Sequence, residues 1–383
     1  MKKIFFLLGT VVLNSALSFS QPEPLILNRP QPTFSSRKVQ VAILFDASGS
    51  MEGLLSQAKS RIWNILNELS SLRFEGKVPT IEIALYEYGK DEIPSSQNYV
   101  RQLVPLSTDL DLISEKLFGI RTNGGSEYCG AVIGKSLEQL NWSSNPTDLK
   151  MIYIAGNEIF NQGNIDYRVV CQQAASRTIY VNTIYCGNYD QGVQEFWYDG
   201  AVNGKGSYFN IDASRQIEQI ITPYDGKINT FNVSLNKTYY SYGQMGMQKK
   251  TSQTTEDNNA LIQSPSAQAE RSIVKSKANY NNASWDLIDA DKEGKDINEI
   301  KEEDLPIEFQ NKTPEEKTKL LEEKKAEREE IQKQITSLAK ERQAYIDAEL
   351  KKRKESGVQD DFGTSVNNSI LEKSKEIGFT IEK

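Results

Sequence analysis

The stretch "VAILFDASGSM", Val41 to Met51, decides how the rest of the chain is interpreted. An uninterrupted apolar run stops at Asp46, and Ser48 and Ser50 follow at every second position with small residues between them. A short apolar run bounded by turn-forming residues is typical of a buried β-strand that ends in a tight turn. The sequence therefore predicts three oxygen-bearing side chains on one turn, directly after a buried strand.

Strand and helix patterns alternate on the C-terminal side of this stretch. The predicted strands are "KVQVAILFD" (38–46), "TIEIALYEYG" (80–89), "YVRQLVPL" (99–106), "LKMIYIAG" (149–156), "TIYVNTIYCG" (178–187) and "SYFNID" (207–212). Such alternation predicts an α/β fold over residues 38–222, with a doubly wound, mostly parallel sheet and helices on both faces. Ligands of such sheets bind at the carboxyl ends of the strands, where Asp46 is predicted to lie.

One carboxylate and two hydroxyls are hard oxygen ligands, which suit Mg²⁺, Mn²⁺ or Ca²⁺ better than zinc or copper. In this context the Asp-x-Ser-x-Ser pattern resembles the metal-ion-dependent adhesion site of the von Willebrand factor type A (vWA) family. The resemblance covers about Val39 to Asp212 and rests on "DASGSM", on "NGGSE" (123–127) and on the strand order. It implies weakly bound Mg²⁺ or Mn²⁺, with Ca²⁺ as an alternative.

The chain departs from the family pattern at the fourth and fifth ligands. The resemblance puts Ser126 in the place of the usual threonine, while Ala155 and Gly156 stand where the family has a Thr-Asp pair. With that carboxylate missing, Glu158 or the neighbouring Glu127 can supply charge directly or through water, and the sequence leaves this choice open. The predicted metal-binding residues are Asp46, Ser48, Ser50, Ser126 and Glu158. The alternative is that the hydroxyls only cap a helix and orient the loops.

The three cysteines, Cys129, Cys171 and Cys186, have no metal-binding spacing. We expect a structural disulfide between Cys129 and Cys186, with Cys171 buried as a free thiol. The chain has no histidine, which excludes Ser-His-Asp and Cys-His catalysis and His-ligated zinc. With 52 Asp and Glu against 45 Lys and Arg, it also lacks the basic excess of a nucleic-acid-binding protein.

The N-terminus indicates export. Two lysines precede a short apolar run and small residues in residues 1–20, which is the pattern of a cleaved signal peptide. A Pro-rich lead fills residues 21–37. No later segment is apolar enough to cross a membrane, so we expect an exported protein that is periplasmic or extracellular.

The C-terminal part of the chain has a different composition. Residues 223–312 are polar and predict a partly helical linker region, and residues 313–383 predict a long charged helix and a tail. Thr313, Pro314 and Glu316 form the signature of a helix start. The narrow apolar stripe of this helix is interrupted by Lys324, Arg328 and Arg342. One long helix packed on the domain or on a partner is expected, and a parallel coiled-coil dimer is the alternative.

The whole chain also resembles secreted bacterial vWA-domain proteins with a helical C-terminal extension. That resemblance implies a protein-binding module without catalytic residues, in which a degenerate metal site engages a carboxylate of a protein partner. A metal-free scaffold whose helical tail makes the interaction is the second interpretation. The third is a hydrolase assisted by an oxygen-ligated metal, against which the absence of a histidine base and of a Walker motif argues.

Overall fold

A computed structural model of the chain describes residues 37–211, 220–355 and 362–381. The predicted signal peptide and all but the last residue of the Pro-rich lead lie outside the described residues. Among the helices that are described, none combines the length and the apolar character needed to span a membrane.

A six-stranded sheet forms the centre of the fold. The strands are β1 (Lys38–Asp46), β3 (Thr80–Tyr88), β4 (Val100–Ser107), β5 (Leu149–Gly156), β6 (Tyr180–Tyr185) and β7 (Lys205–Asn210), and β2 (Leu72–Phe74) lies outside this sheet. Their order is β4-β3-β1-β5-β6-β7. All neighbouring pairs are parallel except β3 and β4. The predicted doubly wound, mostly parallel sheet is therefore confirmed.

Strand β1 is the centre of this sheet because it is apolar on both faces. Val41 and Ile43 point into one apolar core, and Ala42 and Leu44 point into another. The chain moves outward from β1 to β3 and β4 on one side, and to β5, β6 and β7 on the other. The winding thus reverses between β1 and β5, which places Asp46 at the switch point where open α/β sheets bind ligands.

Twelve α-helices are seen in the described residues, and nine of them contribute to one of the two apolar cores beside the sheet. They are α1 (Leu55–Leu69), α2 (Leu110–Gly119), α3 (Cys129–Gln139), α4 (Tyr167–Ser176), α5 (Tyr189–Gln194), α6 (Trp197–Asn203), α7 (Asp225–Lys237), α8 (Gly246–Gln263), α9 (Pro265–Lys275), α10 (Leu287–Lys292), α11 (Pro314–Glu355) and α12 (Phe362–Glu376). Helices α3, α4 and α6 share the core of Ala42 and Leu44. Helices α1 and α2 share the core of Val41 and Ile43, together with residues of α7, α9, α11 and α12.

The region predicted as a partly helical linker, 223–312, contains α7 to α10 and packs against the sheet domain. A buried ionic network joins the two parts. Arg271 of α9 donates to Asp111 of α2 (2.6 Å) and to Asp257 of α8 (2.7 Å), and Lys275 donates to Asp257 (2.6 Å). These side chains are at most 6% exposed, so each charge depends on its partner in a medium of low polarity.

Helix α11 starts as the sequence predicts and then lies along the domain. The Thr313 N–H donates to the Glu316 carboxylate (2.8 Å), and the Glu316 N–H donates to the Thr313 hydroxyl (3.3 Å). This reciprocal pair is a capping box. The stripe residues Leu321 and Ile335 are buried in two apolar cores of this chain. These two residues of the stripe are therefore covered by the protein itself, whereas Tyr345 of the same helix is 37% exposed.

The C-terminus returns to the sheet domain. Strand β8 (Phe379–Ile381) pairs antiparallel with β2, and α12 packs against α1 and β7. The Phe74 and Phe379 rings meet edge to face at 5.3 Å. The helical extension is thus attached to the sheet domain at both of its ends.

Candidate functional site

The turn after β1 brings the three predicted oxygen ligands together. Asp46 is fully buried, and its Oδ1 accepts a hydrogen bond from the Ser48 N–H at 2.7 Å. This contact bends the chain back on the carboxylate, as short polar side chains do in turns. The Ser48 and Ser50 hydroxyls lie 2.8 Å apart. The structure therefore places one carboxylate and two hydroxyls at the switch point of the sheet.

The Gly-Gly loop adds a second carboxyl to this turn. The Asn123 N–H donates to the Ala47 carbonyl at 3.0 Å and ties the loop to the turn. Gly125 allows the close approach, because a Cβ there would lie 2.5 Å from the Gly89 carbonyl oxygen. Glu127 is consequently buried beside Asp46, and its carboxylate accepts from the Ser50 hydroxyl at 3.5 Å.

The other predicted loop ligands are placed less centrally. Ser126 is half-buried, and its hydroxyl makes no hydrogen bond with any of the described residues. Glu158 is exposed and accepts from Gln162 at 2.7 Å, outside the cluster of the three ligands. Asn157 does reach the turn, since the Ser50 hydroxyl donates to its side-chain oxygen at 2.9 Å. Of the two carboxylates that the sequence left open, the structure brings Glu127 rather than Glu158 to Asp46.

The position of the usual fifth ligand is filled by aromatic side chains. A Cβ added at Gly156 would lie 2.6 Å from the Tyr88 hydroxyl, 2.9 Å from the Trp197 ring and 3.1 Å from Oδ2 of Asp46. The Tyr88 hydroxyl donates to the Ala155 carbonyl at 3.0 Å and is held there. No local sequence pattern signals that these two aromatic side chains occupy the place of a ligand.

The electrostatics of the site depend on the Asp46–Glu127 pair. Burial raises the pKa of Asp46 to about 6, against an opposing effect of hydrogen bonds from Glu127 and Ser48. Burial and the neighbouring Asp46 charge raise the pKa of Glu127 to about 9. No lysine or arginine is among the main influences on either carboxyl of this described site. Two adjacent buried carboxyls without a basic neighbour need a shared proton or a cation.

We expect the metal-free protein to become less stable as the pH rises, because the folded state then loses the proton that Asp46 and Glu127 share. The folded pKa of Glu127 exceeds its unfolded value of about 4.5, so the unfolded state binds fewer protons between pH 4.5 and about 9. Loss of the Glu127 proton should therefore lower the free energy of unfolding by at most about 1.4 kcal/mol per pH unit in that window, and Asp46, whose folded pKa is about 6, adds a similar contribution below pH 6. Urea unfolding in EDTA at pH 5, 7 and 9 measures the slope.

Glu127→Gln is the matched variant for this titration, because the amide keeps the size of the side chain and cannot ionise. Its unfolding free energy should change less with pH than that of the wild type. Equal slopes in the two proteins would show that Glu127 is not protonated in the fold.

The donor set fits a small hard cation. Asp46 Oδ2 is buried, and no hydroxyl, amide or ammonium of the described residues donates to it. The hydroxyl and carboxyl oxygens around it are the donor types that Mg²⁺, Mn²⁺ and Ca²⁺ prefer. A metal centre built from three or more Asp, Glu or Cys side chains does not occur in the described part of the chain. Any ion here would depend on a mixed carboxyl and hydroxyl shell.

The expected Cys129–Cys186 disulfide is not formed, because all three cysteines are buried free thiols. Cys129 opens α3 and lies in the core of Ala42 and Leu44, whereas Cys186 follows β6 and lies in the core on the other face of the sheet. Cys171 shares the Cys129 core. The prediction was wrong because both residues are near the same edge of the sheet but on opposite faces.

No family model matches the chain, and no curated protein matches it. Solved structures that resemble it include BatB from Bacteroides thetaiotaomicron (18% identity, 45% of this chain and 90% of that chain, TM-score 0.34). Another is the SpRpn10 VWA domain (14% identity, 47% of this chain and 90% of that chain, TM-score 0.35). A third is mussel byssus PTMP1 "with zinc occupied MIDAS motif" (10% identity, 47% of this chain and 43% of that chain, TM-score 0.35). The strand order and the central Asp46 turn are vWA-like, as the sequence resemblance implied.

Proposed function

We propose that this protein is a binding module that holds Mg²⁺ or Mn²⁺ at the Asp46 turn and uses the ion to engage a carboxylate of a partner protein. The observation that carries the proposal is the pair of buried carboxyls, Asp46 and Glu127, in contact with the hydroxyl cluster of Ser48 and Ser50. A bound divalent ion would supply positive charge to which an external carboxylate can coordinate.

Each residue of the site has a separate role in this proposal. Asp46 provides the carboxylate that faces the ion, and the Ser48 N–H fixes its orientation through the bond to Oδ1. The Ser48 and Ser50 hydroxyls contribute neutral oxygens, and Asn157 holds the Ser50 backbone by donating to its carbonyl at 3.1 Å. Glu127 gives up its proton when the ion binds. Ser126 borders the partner-facing side, and Glu158 adds negative charge from the surface.

We place this module outside the cytoplasm, on the basis of the signal-peptide pattern in residues 1–20. The proposal assigns no catalytic residue, and its partner is a protein rather than a nucleic acid, which the acidic composition disfavours.

Asp46→Ala should abolish saturable binding of Mn²⁺ and Mg²⁺, because it removes the central carboxylate. Ser48→Ala should only weaken binding, because it removes a neutral ligand. Isothermal calorimetry of the purified protein at millimolar ion concentrations measures both effects. We expect Mn²⁺ to bind more tightly than Mg²⁺, because Mg²⁺ gives up its water ligands reluctantly and demands near-ideal octahedral geometry.

Two readouts separate this proposal from adventitious binding. The Glu127 proton should be released on binding, so the measured heat should change with the ionisation enthalpy of the buffer. Glu158→Gln should lower affinity only slightly. A loss of about 10–100-fold would mean that Glu158 acts directly or through a water. A wild-type protein that shows no saturable binding of Mg²⁺, Mn²⁺ or Ca²⁺ contradicts the proposal.

A metal-free scaffold is the second candidate function. It is favoured by the Tyr88 hydroxyl and the Trp197 ring, which fill the space beside Gly156, and by the proton that the two carboxyls can share. In that case the helical tail of the chain makes the interaction. The same calorimetry decides between the two candidates.

A further inference from the structure

Large apolar side chains are exposed on one part of the sheet domain. Among the described residues, those between 159 and 202 are Ile159, Val169, Tyr189, Val193, Tyr198 and Val202. Tyr189 and Val193 are four residues apart on α5, and Tyr198 and Val202 are four apart on α6, so each pair shares one side of its helix. We call Ile159, Tyr189, Val193, Tyr198 and Val202 the α5–α6 face.

Specific contacts hold this face together. The Tyr208 ring of β7 lies 5.0 Å from the Tyr189 ring and 6.1 Å from the Tyr198 ring. Its hydroxyl donates to the Tyr189 carbonyl at 2.8 Å. The Phe160 N–H donates to the Glu195 carbonyl at 2.9 Å, which brings the segment of Ile159 to the end of α5. Tyr189 and Tyr198 are therefore joined through the Tyr208 ring, and Ile159 lies next to the end of α5.

The α5–α6 face begins beside the Asp46 turn. The Trp197 indole N–H donates to the Glu158 carbonyl at 2.7 Å, and Asn157 is hydrogen-bonded to Ser50. Ile159 is the next residue after Glu158. A partner bound at the Asp46 turn would therefore be close to Ile159, at one end of the face.

Two exposed carboxylates, Glu158 and Asp190, lie next to Ile159 and Tyr189 of the face. No lysine or arginine occurs between Arg177 and Lys205. Asp199 is paired with Arg168 at 2.8 Å, so that pair adds no net charge. Complementary charge at an interface selects the partner and steers its approach.

We propose that the α5–α6 face is a docking surface for a partner protein that presents apolar side chains surrounded by lysine or arginine. Tyr189, Tyr198 and Val202 are 49%, 48% and 55% exposed, which leaves apolar surface available for burial. Tyrosine is a residue type enriched at binding interfaces, where its ring is buried and its hydroxyl stays wet. This docking requires no metal ion, so it rests on the proposed function only in that the protein is a protein-binding module.

A labelled amphipathic Leu–Lys peptide of about 14 residues, four helical turns, is the probe. A Leu–Glu peptide with the same apolar pattern is its charge control. Fluorescence anisotropy with the full chain, in EDTA and physiological salt, should show that Leu–Lys binds at least about tenfold more tightly than Leu–Glu. Tyr198→Ser combined with Val202→Ser should weaken Leu–Lys binding at least about tenfold.

Met247→Ser combined with Ile262→Ser is the matched control, since both residues are exposed on α8, away from the face. It should leave binding unchanged. Equal binding of the two peptides, equal loss in the two double variants, or no binding at about 100 μM peptide would overturn the proposal. Self-association that only the Tyr198/Val202 variant removes would make a second copy the occupant and also overturn it. Because EDTA is present, failure here leaves the metal proposal unaffected.

Discussion

Arg328→Ala should lower the free energy of unfolding by about 3–5 kcal/mol, the usual cost of leaving a buried charge without its partner. Arg328 is 1% exposed, and its two terminal nitrogens donate to the two oxygens of Asp286 at 2.6 and 3.0 Å. Its Nε donates to the Thr238 hydroxyl at 3.0 Å, and its guanidinium lies 4.1 Å from the centre of the Tyr239 ring. The substitution would leave the Asp286 carboxylate buried without its cation.

Urea unfolding followed by circular dichroism measures this change, with Lys333→Ala as the control. Lys333 is an exposed cation on the same helix, so its removal should cost less than about 0.5 kcal/mol. Replacing both Arg328 and Asp286 with alanine should cost less than the sum of the two single changes, since the residues are in contact. A loss below about 1 kcal/mol for Arg328→Ala would mean that α11 is not anchored as described.

Gly156→Asp, which restores the carboxylate of the family pattern, should destabilise the protein rather than tighten ion binding. The new Cβ would come within 2.6 Å of the Tyr88 hydroxyl and 2.9 Å of the Trp197 ring. It would also add a third carboxyl to a buried group that contains Asp46 and Glu127. Overpacking and the burial of an unpaired charge together should cost at least about 3 kcal/mol.

Two variants separate the causes of this effect. Gly156→Ala adds only the methyl group, and it should cost about 1–3 kcal/mol through overpacking alone. Gly156→Asp combined with Tyr88→Phe removes the nearest obstructing atom, so it should recover part of the lost stability. Unfolding in EDTA measures stability, and Mn²⁺ calorimetry measures affinity. A stable Gly156→Asp protein with higher Mn²⁺ affinity would show that the fifth ligand position is open.

For α11, which carries Arg328, the sequence pattern predicted where the helix starts but not what its buried charged residues contact. The capping box of Thr313 and Glu316 was predictable because it involves residues three positions apart. The charged interruptions of the apolar stripe suggested only that a coiled-coil seam was weak. In the structure Arg342 donates to Asp225 at 2.8 Å and to Ser266 at 2.7 Å, so the interruption is an anchoring contact.

The site shows the same division between local and distant information. The Asp46 turn was predictable, because a buried strand, a carboxylate and two serines are consecutive in the chain. The choice between Glu127 and Glu158 was not predictable, because the close approach of Gly125 to Gly89 places Glu127 beside Asp46, while Glu158 is exposed and accepts from Gln162. No sequence pattern indicated that Tyr88 and Trp197 fill the space beside Gly156.

The sequence by itself determined the α/β fold class, the strands of the central sheet, the Asp46 turn and the start of α11. Each of these depends on periodicity or on hydrogen bonds between residues a few positions apart. Only the tertiary structure decided which faces Cys129 and Cys186 occupy, which carboxyl meets Asp46, and what Arg328 binds. The physical reason is sequence separation: Ser50 and Asn157 are 107 residues apart, and Arg73 and Thr380 are 307 apart. Such partners meet only when the whole sheet and its helices pack, and no local pattern records them.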